Sequence, residues 1–136
     1  MQTIAHYFSR LDHLILICGH YEGVDERIKH FVDEEISIGD FILTGGELPS
    51  MLIVDAITRL LPGVITEGAT TDESFSEHEG QKYLEYPHYT RPHIYENQEV
   101  PEILLSGNHK KIHEWRRNQA KKLTEKLRPD LLKKLK

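Results

Sequence analysis

Apolar residues fall into two rhythms along the chain. Leu14-Ile15-Leu16-Ile17-Cys18 is a continuous apolar run ended by Gly19. Its length and β-branched content predict a strand buried on both faces, as in a parallel sheet. Ile36 to Thr44 contains a second run of this kind, stopped by Gly45-Gly46. Elsewhere the spacing is helical. Gln2 to Arg10 carries Ile4, Tyr7 and Phe8 at helical intervals, with Leu11 next in the series, and Val24 to Glu35 reads as a helix. The clearest helix is Glu47 to Leu61, where Leu52, Ile53, Ala56, Ile57 and Leu60 form one stripe. Pro49 sits near its first turn, where a missing N–H does no harm, and Pro62-Gly63 ends it. Strand, helix, strand, helix predicts an α/β unit over residues 1–65.

The periodicity then lapses. Residues 66–81 are mostly Thr, Ser, Glu and Gly, with one large apolar residue, Phe75, and read as a flexible linker. Residues 82–136 read as a small, mainly helical domain. Tyr83 to Pro101 is rich in Tyr and Pro, and Val100 to Gly107 is a short apolar segment and turn. His109 to Leu127 places Ile112, Trp115, Leu123 and Leu127 on one face with Lys and Arg around them. Arg128-Pro129 breaks this helix, and Leu131 to Lys136 is expected to add one more turn.

Composition narrows the class. The chain has 136 residues, 38% hydrophobic and 29% charged, which is ordinary globular material. No apolar run approaches the roughly 18 residues of a membrane helix. Met1 to Arg10 mixes His, Tyr, Ser and Arg and does not resemble a signal peptide. Cys18 is the single cysteine, so neither an internal disulfide nor a multi-cysteine zinc site is expected, and a cytoplasmic location fits. The net charge of −5 hides an asymmetry. His109 to Lys136 holds 11 Lys and Arg against 3 acidic residues, a net of +8, leaving −13 on the rest. A basic tail on an acidic body suits a polyanion partner; a solvated helix face accounts for it equally well.

Candidate chemistry gathers at the strand ends. Gly19 to Gly23 and Ser37 to Gly46 are two glycine turns within 30 residues. Ligands of open α/β sheets sit beyond the carboxyl ends of strands, where glycine lets backbone approach closely. Neither turn is a P-loop or a GxGxxG fingerprint, which disfavours ATP and NAD. His109 and His113 are an i, i+4 pair without the Glu of a metalloprotease motif, so no metal site is expected. Tyr86-Pro87-His88-Tyr89-Thr90-Arg91-Pro92 sets two aromatics, His and Arg between prolines, suited either to stacking on RNA or to packing on a partner subunit. The indole of Trp115 is expected inward and Arg116 and Arg117 outward.

Taken together, these motifs resemble the bacterial tRNA (guanine-N1)-methyltransferases. The resemblance rests on Cys18 to Arg27, Ser37 to Pro49, Arg59 to Val64, Ser74-Phe75, Pro87 to Pro92 and Leu105 to His109, in that order, and runs from Gln2 to Leu132. It implies a SPOUT-type parallel sheet with a trefoil knot, an obligate homodimer and S-adenosylmethionine bound by the knot loops. It also implies methylation of the guanine just 3′ of the tRNA anticodon. Carried over by motif, Gly19, Glu22, Ile38, Gly39, Asp40, Phe41, Ile42, Leu43, Gly45 and Gly46 would hold the cofactor, and Arg59 matches the catalytic arginine. The family's general base is an Asp just before the Ser-Phe pair, supplied by the other subunit. Glu73 stands there in this chain, with Asp72 one residue earlier, so both are candidates. The resemblance further implies that Mg2+ assists charge development. The resemblance implies that family chains begin with additional strands and a Ser-Pro-Gln-Gly-type loop, so this sequence is expected to be a C-terminal fragment, a truncated form or the product of a misplaced start. The alternative expectation is a dimerising, tRNA-binding fragment without catalysis.

Overall fold

The computed structural model describes residues 1–78 and 80–132, in two units that divide between Glu67 and Gly68. In the first unit, helix α1 (Gln2–Phe8) buries Ala5 and Phe8 and packs on α2 (Glu47–Thr58). Gly46 is the N-cap of α2, and its carbonyl accepts the Ser50 N–H at 3.0 Å. The helix ends three residues earlier than its stripe predicts. Leu60 and Leu61 donate to Ile57 and Thr58, so the last turn tightens to i→i+3 bonds before Pro62.

The segment expected as a helix from Val24 to Glu35 holds only a 3₁₀ helix, Glu26–His30. Asp25 caps it, accepting the Arg27 N–H at 2.9 Å and gripping the Arg27 guanidinium at 2.9 and 2.5 Å. Lys29 bridges Glu26 and Glu35 at 2.5 and 3.1 Å. Helices draw most of their stability from packing an apolar face, and here Phe31 is 83% exposed with nothing to pack on.

Leu14 to Cys18 and Ile36 to Thr44 form no ladder among the described residues, although a buried strand is expected in each. Ile15 is 73% exposed. A strand exists only when a neighbour supplies its hydrogen bonds, and among the described residues neither run is paired into a sheet. Their ends do meet, at an isolated antiparallel bridge between His20 and Gly45.

Among its described residues the second unit has two hairpins and two α-helices. Strand β1 (Glu77–His78) pairs with β2 (Gln81–Lys82), and β3 (Ile94–Tyr95) with β4 (Gln98–Glu99). Between β3 and β4, Glu96 and Asn97 both take positive φ, 47° and 62°, as in a type I′ turn. Of the stretch expected as a linker, residues from Gly68 onward therefore lie within this unit and supply β1. Helix α3 (Glu102–Leu105) is one turn, and α4 (His109–Leu127) matches its expected bounds. Asn108 starts α4 by accepting the Lys111 N–H at 3.1 Å. A 3₁₀ turn, Pro129–Leu131, follows Arg128, whose guanidinium holds Asp130 at 2.8 and 2.7 Å. Of the further turn expected at Leu131 to Lys136, residues 133–136 lie outside the described residues.

Thr124 is fully buried against the segment before the Tyr-Pro motif. Its hydroxyl accepts the Leu84 N–H at 2.8 Å and donates to the Ala120 carbonyl at 2.7 Å. Among the described residues, no helix is long and apolar enough to cross a membrane.

Candidate functional site

The two glycine turns close on each other at the start of α2. The Gly46 N–H donates to the Gly19 carbonyl at 2.9 Å, and the His20–Gly45 bridge lies beside it. The His20 imidazole pairs with the Glu47 carboxylate, and Cys18 Sγ and Ser50 Oγ lie 2.9 Å apart in a hydrogen bond. Glycine is required at position 46 by this approach. A Cβ there would lie 2.8 Å from Cys18 Cα and 3.1 Å from the Gly19 nitrogen. Among the expected cofactor residues, Gly19, Gly45 and Gly46 are thus brought together, with Glu22 in the Gly19 turn. Ile38 to Leu43 lead into the clasp, and the Phe41 ring folds beside Gly39, where an added Cβ would sit 2.5 Å away. The rim is open: Tyr21 is 100% and Ile42 98% exposed. Open backbone flanked by exposed apolar side chains has the chemistry to take the flat, hydrogen-bonding face of a nucleoside.

Arg59 is not brought to this clasp within one copy. It caps the far end of α2, its N–H donating to the Asp55 carbonyl at 3.2 Å. The helix has 12 residues, which at 1.5 Å per residue separates its ends by ~18 Å.

Asp72 and Glu73 begin a turn in the second unit. Asp72 Oδ1 is 3.4 Å from His78 Nε2, and the Glu73 carbonyl accepts the Ser76 N–H at 3.0 Å. Ser74 Oγ accepts the Glu85 N–H at 3.0 Å. Phe75, at φ 74°, donates its N–H to the Tyr83 carbonyl at 2.7 Å, and the Arg128 guanidinium stands 5.8 Å from its ring centroid. The two carboxylates therefore sit on a turn pinned at three points to residues 83–85 and the end of α4.

Helix α4 supplies the basic surface, with seven Lys and Arg against two Glu. Arg116 lies 4.7 Å over the Tyr86 ring, and Tyr89 stands 6.3 Å from the half-buried Trp115. Arg116 is exposed, as expected from the sequence, and its guanidinium lies over an aromatic face. His109 and His113 are exposed on this helix, and the described residues gather no group of three His, Cys, Asp or Glu suited to a metal. Hydrogen bonds from Arg128 hold the Asp130 carboxyl below its ordinary range, and those from Arg27 do the same for Asp25.

Sequence reasoning passed over His20 and Glu47, whose pairing closes the clasp. Their signal was position alone, one between the glycines of the first turn and the other directly after Gly45-Gly46.

Comparison with known proteins bears on this arrangement. A family profile described as "tRNA (Guanine-1)-methyltransferase TrmD" matches residues 1–134. Relatives named tRNA (guanine-N(1)-)-methyltransferase include one from Moorella thermoacetica, 59% identical, covering 96% of this chain and 52% of that protein. One from Desulfitobacterium hafniense is 54% identical over 98% of this chain and 50% of its own. One from Metamycoplasma arthritidis is 53% identical over 99% and 58%. The chain spans about half the length of the curated relatives it matches. With the glycine clasp on α2 and a match along nearly its whole length, the chain belongs to the tRNA (guanine-1)-methyltransferase family TrmD.

Proposed function

We propose that this chain carries the cofactor cradle and the tRNA-binding unit of an S-adenosylmethionine-dependent methyltransferase. Its target is N1 of the guanine just 3′ of the tRNA anticodon. The observation that carries the reading is the clasp in which the Gly46 N–H meets the Gly19 carbonyl at 2.9 Å. The backbone of Gly19, Gly45 and Gly46, with Glu22 and Ile38 to Leu43, would hold the cofactor. Bound there, S-adenosylmethionine supplies an electrophilic methyl group on sulfur.

The remaining work falls to side chains. Guanine N1 carries a proton and is a weak nucleophile. Asp72 or Glu73 takes that proton, and Arg59 stabilises the negative charge that gathers on O6. The ~18 Å that α2 puts between the clasp and Arg59 supports a homodimer, in which a second copy brings catalytic groups to the cradle. Residues 14–18 and 36–44 are proposed to join a SPOUT-type parallel sheet with a trefoil knot in that assembly. Among the described residues no ligand set fits Mg2+, and the proposed chemistry runs without a step through it. A tRNA substrate implies a cytoplasmic enzyme.

One observation favours a second reading. Ile15, Ile17, Phe31 and Phe41 are all exposed, so the chain alone leaves its apolar runs uncovered and would serve as a dimerising, tRNA-binding fragment. Titration calorimetry of the 136-residue chain with S-adenosylmethionine separates the two. Micromolar binding supports the cradle; no heat supports the fragment.

A further inference from the structure

The Tyr-Pro motif forms a cavity that neither the cradle nor the carboxylate turn uses. Its volume is about 420 Å³, within the range of small-molecule pockets, and it lies wholly inside the second unit. Tyr86 and Tyr89 supply two aromatic rings to its lining, and Val100, Leu104 and Leu105 aliphatic side chains. Arg91, Arg116 and His93 also line it, and among the described residues no acidic side chain does. The aromatic faces are held in place. Arg116 lies over the Tyr86 ring at 4.7 Å, His88 bonds Glu85 at 2.7 Å with its ring 4.9 Å from Tyr86, and Tyr89 leans on Trp115.

Aromatic and aliphatic side chains beside two guanidinium groups, with no carboxylate among the described lining residues, select a ligand that is aromatic and anionic at once. A nucleotide has both properties. We infer that this cavity holds one unpaired RNA nucleotide, its base stacked on Tyr89 and its phosphate met by Arg91 and Arg116. The inference rests on the tRNA reading above and adds to it: the second unit recognises a loop nucleotide and does more than attract phosphates. The adjoining α4 fits this division, because its lysines carry the sequence-independent attraction while the cavity reads an unstacked base. A paired base in a duplex could not enter.

The test compares two RNAs of equal length on the intact 136-residue chain, an anticodon stem-loop and a fully paired hairpin stem. Affinities are measured by fluorescence anisotropy across a salt series. Tyr89→Leu is expected to weaken stem-loop binding about tenfold, the cost of one lost base stack, and to leave the paired stem and both salt slopes unchanged. Lys121→Ala is expected to weaken both RNAs alike and to reduce the salt slope by about one. Circular dichroism checks that Tyr89→Leu folds. Abasic substitutions walked through the loop give the same answer with the protein untouched: one position should lose about tenfold, and that loss should vanish in Tyr89→Leu. Equal losses on loop and stem, or no sensitive loop position, would overturn the pocket while leaving the tRNA reading intact. Failure to bind either RNA would overturn both.

Discussion

Alanine at Gly46 and alanine at Gly45 are adjacent, chemically identical changes, and the structure separates them sharply. At Gly46 the new Cβ would lie 2.8 Å from Cys18 Cα and 3.1 Å from the Gly19 nitrogen. Those neighbours are backbone, so the Gly19 turn must retreat by about half an ångström to reach ordinary contact. The retreat stretches the 2.9 Å bond from the Gly46 N–H to the Gly19 carbonyl. Overpacking of this kind costs about 1–3 kcal/mol, and a weakened hydrogen bond about 1 kcal/mol. Gly46 is also the N-cap of α2, a position where glycine is better than alanine. At Gly45 the nearest atoms are Glu47 Oε2 and the His20 ring, the ends of side chains that can swing aside. Losing that exposed pair costs at most about 1 kcal/mol. The gap is therefore about 2 kcal/mol, or roughly a thirtyfold ratio in any equilibrium that needs the clasp closed. Two measurements read it: calorimetric affinity for S-adenosylmethionine, and hydrogen exchange of the Gly46 amide. Gly46→Ala should lose about thirtyfold more than Gly45→Ala in both. Equal effects, or a worse Gly45→Ala, would refute the backbone-contact reasoning.

Three further outcomes are expected. Thr124→Val, which strands the half-buried Leu84 N–H, should destabilise the second unit by about 1–3 kcal/mol in urea melts followed by Trp115 fluorescence, whereas Thr124→Ser should cost about 1 kcal/mol or less; the reverse order would contradict the hydrogen bonding. Because arginine bonds lower the folded-state pKa of Asp25 and Asp130, their stabilisation is complete above the ordinary carboxylate value and drains away as pH falls through the lowered values; melting temperatures of Asp25→Asn and Asp130→Asn should accordingly drop less than the parent's between about pH 5 and pH 2. In a chain competent for methyl transfer to an anticodon stem-loop, Asp72→Ala with Glu73→Ala should lower the single-turnover rate by about 10²–10⁴, with the single variants naming the base; an undiminished rate removes both from that role.

What the sequence discloses depends on how local each interaction is. Helix α4 is bounded by its own neighbours, Asn108 at one end and Pro129 at the other, and α2 is signalled by Pro49 in its first turn and Pro62-Gly63 beyond its end, so both were readable to within a turn. The clasp was half-readable. The glycines announce a close approach, but the partner that makes Gly46 necessary, Cys18, is 28 positions away. The runs at 14–18 and 36–44 carry strand chemistry, yet a ladder is a property of two segments and neither run names its neighbour. The β3–β4 hairpin escaped because its turn is Glu96-Asn97, not the Asn-Gly pair that advertises two left-handed residues. Thr124 looks like any polar residue on a basic helix; its role is set by Leu84, 40 residues earlier.

The union of α4 with residues 84–86 has an evolutionary consequence. Arg116 over Tyr86 and Thr124 beneath Leu84 lie eight positions apart, a little over two helical turns, so both reach the same strip of chain. Deleting one residue between them would swing one contact about 100° around the axis relative to the other, abandoning either the buried hydroxyl or the stacked guanidinium. Side chains on the outer surface of α4 can be exchanged without disturbing either contact, whereas inserting or deleting a single codon between 116 and 124 would break one of them.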